Sequence, residues 1–337
     1  MEFWVWMNPV NLTLEHEREA PMLKLPTQLV NTQTVVLLVV ILLWISLGIT
    51  SETFLSQGNV QNIMLQMAIQ GVIGVGAVVV ILTAGIDLSV GSVVGLVNIV
   101  FSILITSGNL PIPMAVLLCL LMGCFIGWIN GTLVFDLKLP PFIATLGMMT
   151  VLRGITLLVS EGSNVFGLPR ELSSFAQGRL WGLPYLFCIL ILVTVFVEIL
   201  LRRTTFGRYV YALGSNREAA RLSGVNTRAV TYGVYILAGL LGGIAGCMET
   251  SRLWMGVPTT GTMYELDAIA VAVLGGASLM GAEGNAYGAF IGALLMTTIY
   301  NGAVLLAIDA NYTKVIVGGI LIVTVSVDQF RQRHTGR

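Results

Sequence analysis

Two aspartates stand at the head of long apolar runs. Asp87 lies in "ILTAGIDLSVGSVVGL" (residues 81–96) and Asp267 in "YELDAIAVAVLGGA" (residues 264–277). No Lys or Arg lies near Asp87; the closest in sequence are Lys24 and Lys138. A carboxylate in such a place has two uses. It can accept hydrogen bonds from the first free N–H groups of a helix, here near Ser89 and Val90, where the helix dipole favours its charge. Alternatively it gates or conducts, because ionisable groups inside a membrane are costly and mark functional sites. Each aspartate is followed eight residues later by a glycine, Gly95 and Gly275.

Amides and hydroxyls make up the other chemistry. Gln66, Gln70, Ser89, Asn98, Asn130, Thr145 and Asn301 fall within apolar runs. They suit the lining of a polar pathway, and equally suit hydrogen bonds between helices. Arg153 reads as an arginine near a helix end, paired or snorkelling to water. Glu198 and Arg202 have the spacing of a helical ion pair. The histidines, His16 and His334, lie in the terminal tails, so no catalytic constellation is expected. Cys119, Cys124, Cys188 and Cys247 lack metal-ligand spacing and read as small buried hydrophobes, so no metal site is expected.

The elements that carry these residues follow from composition. The chain has 337 residues, 56% hydrophobic and 10% charged, with mean hydropathy +0.89, against about 25% charged in soluble domains. This is the signature of an all-α integral membrane protein. A span needs about 20 apolar residues. About ten are expected, near 34–50, 62–82, 89–106, 112–134, 141–159, 184–201, 229–248, 266–280, 286–306 and 312–328. Zero net charge gives no bulk field to attract nucleic acid.

Positive charge in loops sets orientation. With a cytoplasmic N-terminus, the inner side holds twelve basic residues, among them Lys138, Arg202, Arg203, Arg208, Arg217, Arg221 and Arg228; the outer loops hold Arg170, Arg179 and Arg252. Both termini are therefore expected in the cytoplasm. The organisation is a tail over 1–33, a transmembrane domain over 34–328 with an inner loop at 202–228, and a tail over 329–337. Residues 1–21 lack a signal-peptide pattern and read as a dispensable tail or an upstream mis-start. In this topology Asp87 begins an inner helix end and Asp267 an outer one, as an inverted five-plus-five repeat would give; a chance correspondence is the alternative.

The inner loop contains "NREAARLSGVN" (residues 216–226). Asn216 suits a helix cap, Arg217, Glu218, Ala219, Ala220 and Arg221 favour helix, and Gly224 stops it. A slim helix rimmed by arginines fits a groove on a cytoplasmic partner; a surface helix held at the headgroups is the plainer reading.

This "EAA" followed four residues later by glycine resembles the coupling loop of ABC importer permeases. "GIDLSVGS" resembles a diagnostic segment of the ribose-type sugar permeases. "PFIATLGMMTVLRG", "TFGRYVYALGSNREAARLSGVN", "YELDAIAVAVLGGASLMG" and "GALLMTTIYNG" resemble further segments in the family's order, over roughly residues 30–330. One departure is Ala282 in "MGAEG", where the family usually carries a second glycine.

The resemblance implies a permease subunit in a bacterial inner membrane that passes a monosaccharide. A second permease copy or paralogue would complete the pore. A cytoplasmic ABC ATPase carrying ATP-Mg would dock at Arg217–Gly224, and a periplasmic sugar-binding protein would deliver substrate. The chain has no phosphate-binding G-x-x-x-x-G-K-[ST] loop, so no bound cofactor is expected on it. An ion-driven secondary transporter would instead use Asp87 and Asp267 as coupling carboxylates, but it leaves the arginine-bracketed loop unexplained.

Overall fold

The computed structural model describes residues 32–309 and, beyond them, 311–313, 315–320, 322, 323 and 326. The expected tails over 1–33 and 329–337 therefore lie almost wholly outside the described residues. Long helices dominate: α1 (Thr32–Thr50), α2 (Gln57–Ile81), α3 (Val90–Thr106), α4 (Ile112–Phe135) and α5 (Pro141–Val159). A short α6 (Arg170–Gln177) and a two-stranded hairpin, β1 (Arg179–Leu180) with β2 (Leu183–Pro184), precede α7 (Tyr185–Arg203). The chain continues through α8 (Thr205–Ser215), α9 (Arg217–Leu222), α10 (Thr227–Leu253), α11 (Tyr264–Leu274) and α12 (Ala286–Leu305).

Local chemistry sets the ends. Prolines precede α4, α5 and α7, where a missing N–H is harmless and φ is already helical. Ser56, Thr204, Asn226 and Asn285 each accept a backbone N–H in the first turn of the helix that follows. Seven helices among the described residues are long and apolar enough to cross a membrane. The apolar α3 has 17 residues and falls just short of that length. The expected span at 266–280 is not a full crossing. Its helix, α11, has 11 residues, about 16 Å at 1.5 Å per residue against a hydrocarbon thickness of about 30 Å. It ends at Gly275-Gly276, and Gly276, Gly281, Ala282 and Gly284 all have positive φ, folding residues 275–285 into a tight loop. The span expected at 312–328 lies partly outside the described residues.

The buried centre is α2 and α10. Close helix contact depends on glycine: a methyl at Gly123 or Gly127 of α4 would collide with the α10 backbone at Gly239 and Tyr235. Likewise α11 meets α12 through Gly275, Gly288 and Gly292, and meets α2 through Val271 against Gly74. Helices α1, α4 and α5 turn apolar side chains outward, including Leu42, Leu121 and Leu158.

Candidate functional site

A cavity of about 880 Å³ opens where α2 begins and α10 ends. Four amide side chains of α2 line it: Asn59, Asn62, Gln66 and Gln70. Their spacing of three, four and four residues puts them on one helix face. Facing them are Glu249 and Arg252 from α10, Tyr264 and Asp267 from α11, and Tyr300 and Asn301 from α12. Asn59 and Asn301 bond reciprocally, amide to amide, at 2.9 and 2.7 Å. Tyr300 Oη donates to Asp267 Oδ1 at 2.8 Å. Arg252 donates to both oxygens of Glu249, at 3.1 and 2.8 Å, and Tyr264 Oη donates to the same carboxylate at 3.2 Å. Gln70 Oε1 is buried and has no partner among the described residues. A second cavity, of about 540 Å³ between α3, α4, α6, α7 and α10, is almost wholly apolar.

Of the sequence candidates, Gln66, Gln70, Asp267 and Asn301 come together in the polar cavity. Ser89, Asn98, Asn130 and Thr145 are fully buried elsewhere and tie elements together. Asn98 donates to Thr250 Oγ1 (2.8 Å) and accepts from Val257 N–H (2.7 Å), fastening α3 to the end of α10 and the chain beyond it. Thr145 Oγ1 accepts the Leu88 N–H at 3.1 Å and lies 3.1 Å from Ile86 O, fastening the segment before α3 to α5.

Asp87 sits in that same segment. Its Oδ1 accepts the Ser89 N–H at 2.8 Å and the Ser89 hydroxyl at 2.6 Å, and Asn130 donates to Ser89 Oγ at 2.8 Å. The helix itself starts at Val90, so Asp87 closes an Asx-type turn onto Ser89 just ahead of the helix; its hydrogen bonds do not reach Val90. Arg153 donates to Thr260 O at 2.7 Å. Glu198 pairs with Arg202 as expected, at 3.0 Å.

At the opposite end of the bundle, residues 204–226 form α8 and α9. Asn216 Oδ1 accepts the Ala219 N–H at 2.9 Å, the cap expected from its position. Glu218 and Arg221 form a two-bond ion pair at 2.6 and 3.1 Å. The Arg221 hydrogen bond, and then its charge, hold the Glu218 carboxyl below the usual carboxylate range and raise Arg221. Ala220 is buried, while Leu222 projects outward. Gly224 takes φ +83° and ends the helix. Arg217 lies over the Phe135 ring at 5.5 Å. Gly214 of α8 abuts both Leu82 O and the backbone at Ala282, and Tyr211 Oη donates to Gly284 O at 2.8 Å. The loop therefore touches the far end of α2 and the turn leading into α12, two of the helices that line the cavity.

Asn59, Asn62, Glu249, Arg252, Tyr264 and Tyr300 were not singled out by sequence reasoning. The regular spacing of amides from Asn59 to Gln70 is the signal that marks the α2 face.

Long apolar helices around a polar cavity, with a basic loop at the other end, define a multi-pass membrane transport component. The chain matches, over residues 59–325, the family described as the permease component of branched-chain amino acid transport systems. It is 41% identical over 290 residues to the ribose import permease protein of Bacillus subtilis (strain 168), covering 86% of this chain and 90% of that protein. It is 36% identical over 282 residues to the D-allose transport system permease protein of Escherichia coli (strain K12), covering 84% and 86%. A third relative, the autoinducer 2 import system permease protein of Shigella flexneri, is 36% identical over 298 residues, covering 88% and 87%. No solved structure matches. The chain belongs to this permease family.

Proposed function

We propose that the chain is the membrane-spanning subunit of an ATP-driven importer that carries a monosaccharide into the cytoplasm. The observation that carries this reading is near full-length similarity to permeases named for ribose and D-allose import. Family membership favours it over an ion-driven secondary transporter. In this reading the chain works in the bacterial inner membrane with both termini cytoplasmic, a periplasmic sugar-binding protein delivers substrate, and a second permease, identical or paralogous, completes the pore. ATP-Mg is held by a cytoplasmic ATPase docked on α8 and α9, and the chain itself holds no cofactor and performs no catalysis.

Mechanically, α2 links the two ends. Its 25 residues make a rod of about 37 Å, running from the amide face of the cavity to the contact with α8. A push on α8 is thereby passed to both α2 and α12. An inverted five-plus-five arrangement of helical elements, with α11 a short element rather than a full crossing, is supported by packing: α4 and α3 lie against α10 as α12 and α11 lie against α2. Reconstitution tests the function. Sugar uptake should require ATP, the ATPase and the binding protein; uptake driven by a proton gradient without the ATPase overturns it.

A further inference from the structure

Amide, phenol and charged side chains all line the large cavity. Its polar groups fall into three sets. Asn59 and Asn301 satisfy one another through their reciprocal amide bonds. Glu249, Arg252 and Tyr264 likewise form a closed set, with the guanidinium spent on the carboxylate. What remains open is Gln70, with a buried unpartnered carbonyl oxygen, Asp267, whose carboxylate receives one phenol, and the amides of Asn62 and Gln66, which make no hydrogen bond among the described residues. Gln70 lies eleven residues beyond Asn59 on α2, about 16 Å deeper.

A buried acceptor without a donor is unfavourable until a ligand supplies one. A side-chain amide can accept from one hydroxyl and donate to its neighbour, which matches a vicinal diol. A carboxylate accepts two hydroxyl hydrogens. The charge arrangement sets the sign of what can enter. Among the described residues the one lining cation, Arg252, is neutralised by Glu249, and Asp267 has no cationic partner. An anionic solute would meet that carboxylate with no free positive charge among the described residues to offset it.

Resting on the importer reading, we propose that this cavity is itself a weak binding site for uncharged monosaccharides. Gln70 and Asp267 hold the hydroxyls, and Asp267 excludes phosphorylated sugars. Recognition of the solute is then shared between the delivering protein and the membrane subunit.

The test uses the full-length chain in lipid nanodiscs and saturation-transfer NMR, with D-ribose, D-allose and D-ribose 5-phosphate as probes. At least one neutral sugar should bind the wild-type chain, and the 5-phosphate should not. Gln70→Met, which keeps the side-chain length, should weaken binding about tenfold through lost hydrogen bonds. Asp267→Asn should admit the 5-phosphate while keeping the neutral sugar; as a gain of binding, this result cannot come from misfolding. Binding of neither sugar, wild-type affinity in Gln70→Met, or equal binding of the 5-phosphate by the wild-type chain overturns the proposal. ATP-driven uptake by the reconstituted complex separates the two claims. Uptake without such binding removes only the cavity site, and failure of the complex to import under ATP removes the importer reading.

Discussion

The Glu198 carboxylate accepts the backbone N–H of Ala286 at 2.9 Å through Oε2. It thereby joins α7 to the first turn of α12, and its other oxygen holds Arg202. The contact places a negative group at a helix start, where free N–H groups and the dipole favour it.

Removing that carboxylate leaves the buried Ala286 N–H without its acceptor, which costs roughly 1–3 kcal/mol. Glu198→Ala should therefore lower the melting temperature in detergent measurably. Arg202 is 57% exposed, and exposed ion pairs contribute little, so Arg202→Ala should change stability much less. Equal losses in a thermal melt would contradict the capping role.

Packing predicts opposite outcomes at two glycines, one inside the α4–α10 contact and one on the open face of α5. Gly127→Val drives side-chain carbons into Tyr235 O and the Ile236 backbone. Overpacking of this kind costs about 1–3 kcal/mol or more, and the protein should extract poorly or melt early. Gly147 on α5 has open space at its Cβ position, so Gly147→Ala should hold or raise stability, by up to about 1 kcal/mol from helix propensity. Melting curves of the two variants in the same detergent check both.

A third expectation concerns Ala282. Its φ of +60° is the left-handed conformation, and its N–H donates to Leu82 O at 2.9 Å, tying the loop before α12 to the end of α2. An L-residue held there is strained by roughly 1 kcal/mol, which glycine relieves, less the entropy that glycine adds to the unfolded chain. Ala282→Gly should raise the melting temperature modestly; a fall would show that the methyl contributes packing.

What the sequence made legible divides by range. The span at 141–159 coincides with α5 because Pro140-Pro141 and the polar Ser160 mark both ends locally. Asn216 and Gly224 foretold α9 for the same reason. The stretch at 266–280 misled, since Val273 and Leu274 run on through Ala277 and Leu279 in apolarity, and hydropathy cannot register that Gly275-Gly276 folds back. The cavity was legible only in pieces. Gln66, Gln70, Asp267 and Asn301 stood out as polar groups in apolar runs, but Asn59 preceded the assigned span, and Glu249 and Arg252 fell at a span edge. Their assembly joins α2 to α10, α11 and α12 across some 240 residues (59 to 301), a relation that no local pattern carries. Asp87 shows the reverse: its hydrogen bonding is local and was nearly foreseen, with the cap position displaced by two residues, to Ser89.

Asp87→Asn keeps an Oδ1 acceptor for the Ser89 N–H and hydroxyl, so the variant should insert, assemble and transport nearly as the wild type does. Asp87→Leu removes the acceptor from a buried turn and should destabilise by roughly 1–3 kcal/mol. Uptake and melting are measured together. An Asn variant that folds and assembles but no longer transports would mean that the charge itself takes part in gating.

The sharpest separation of folding from coupling lies at α9. Glu218→Lys combined with Gly224→Asp reverses the charge beside Arg221 and forces a side chain into φ +83°. Both positions are exposed at the loop surface, so membrane insertion should be normal while association with the ATPase is lost in a pull-down. Unchanged association refutes docking at this helix. The pH dependence has a defined sign. The Glu218 carboxyl is held below its ordinary value by Arg221, so the pair is complete above the ordinary carboxylate range and is lost only as pH falls through the depressed value. Association of the wild-type chain should accordingly be flat over roughly pH 6 to 8 and weaken only in acid.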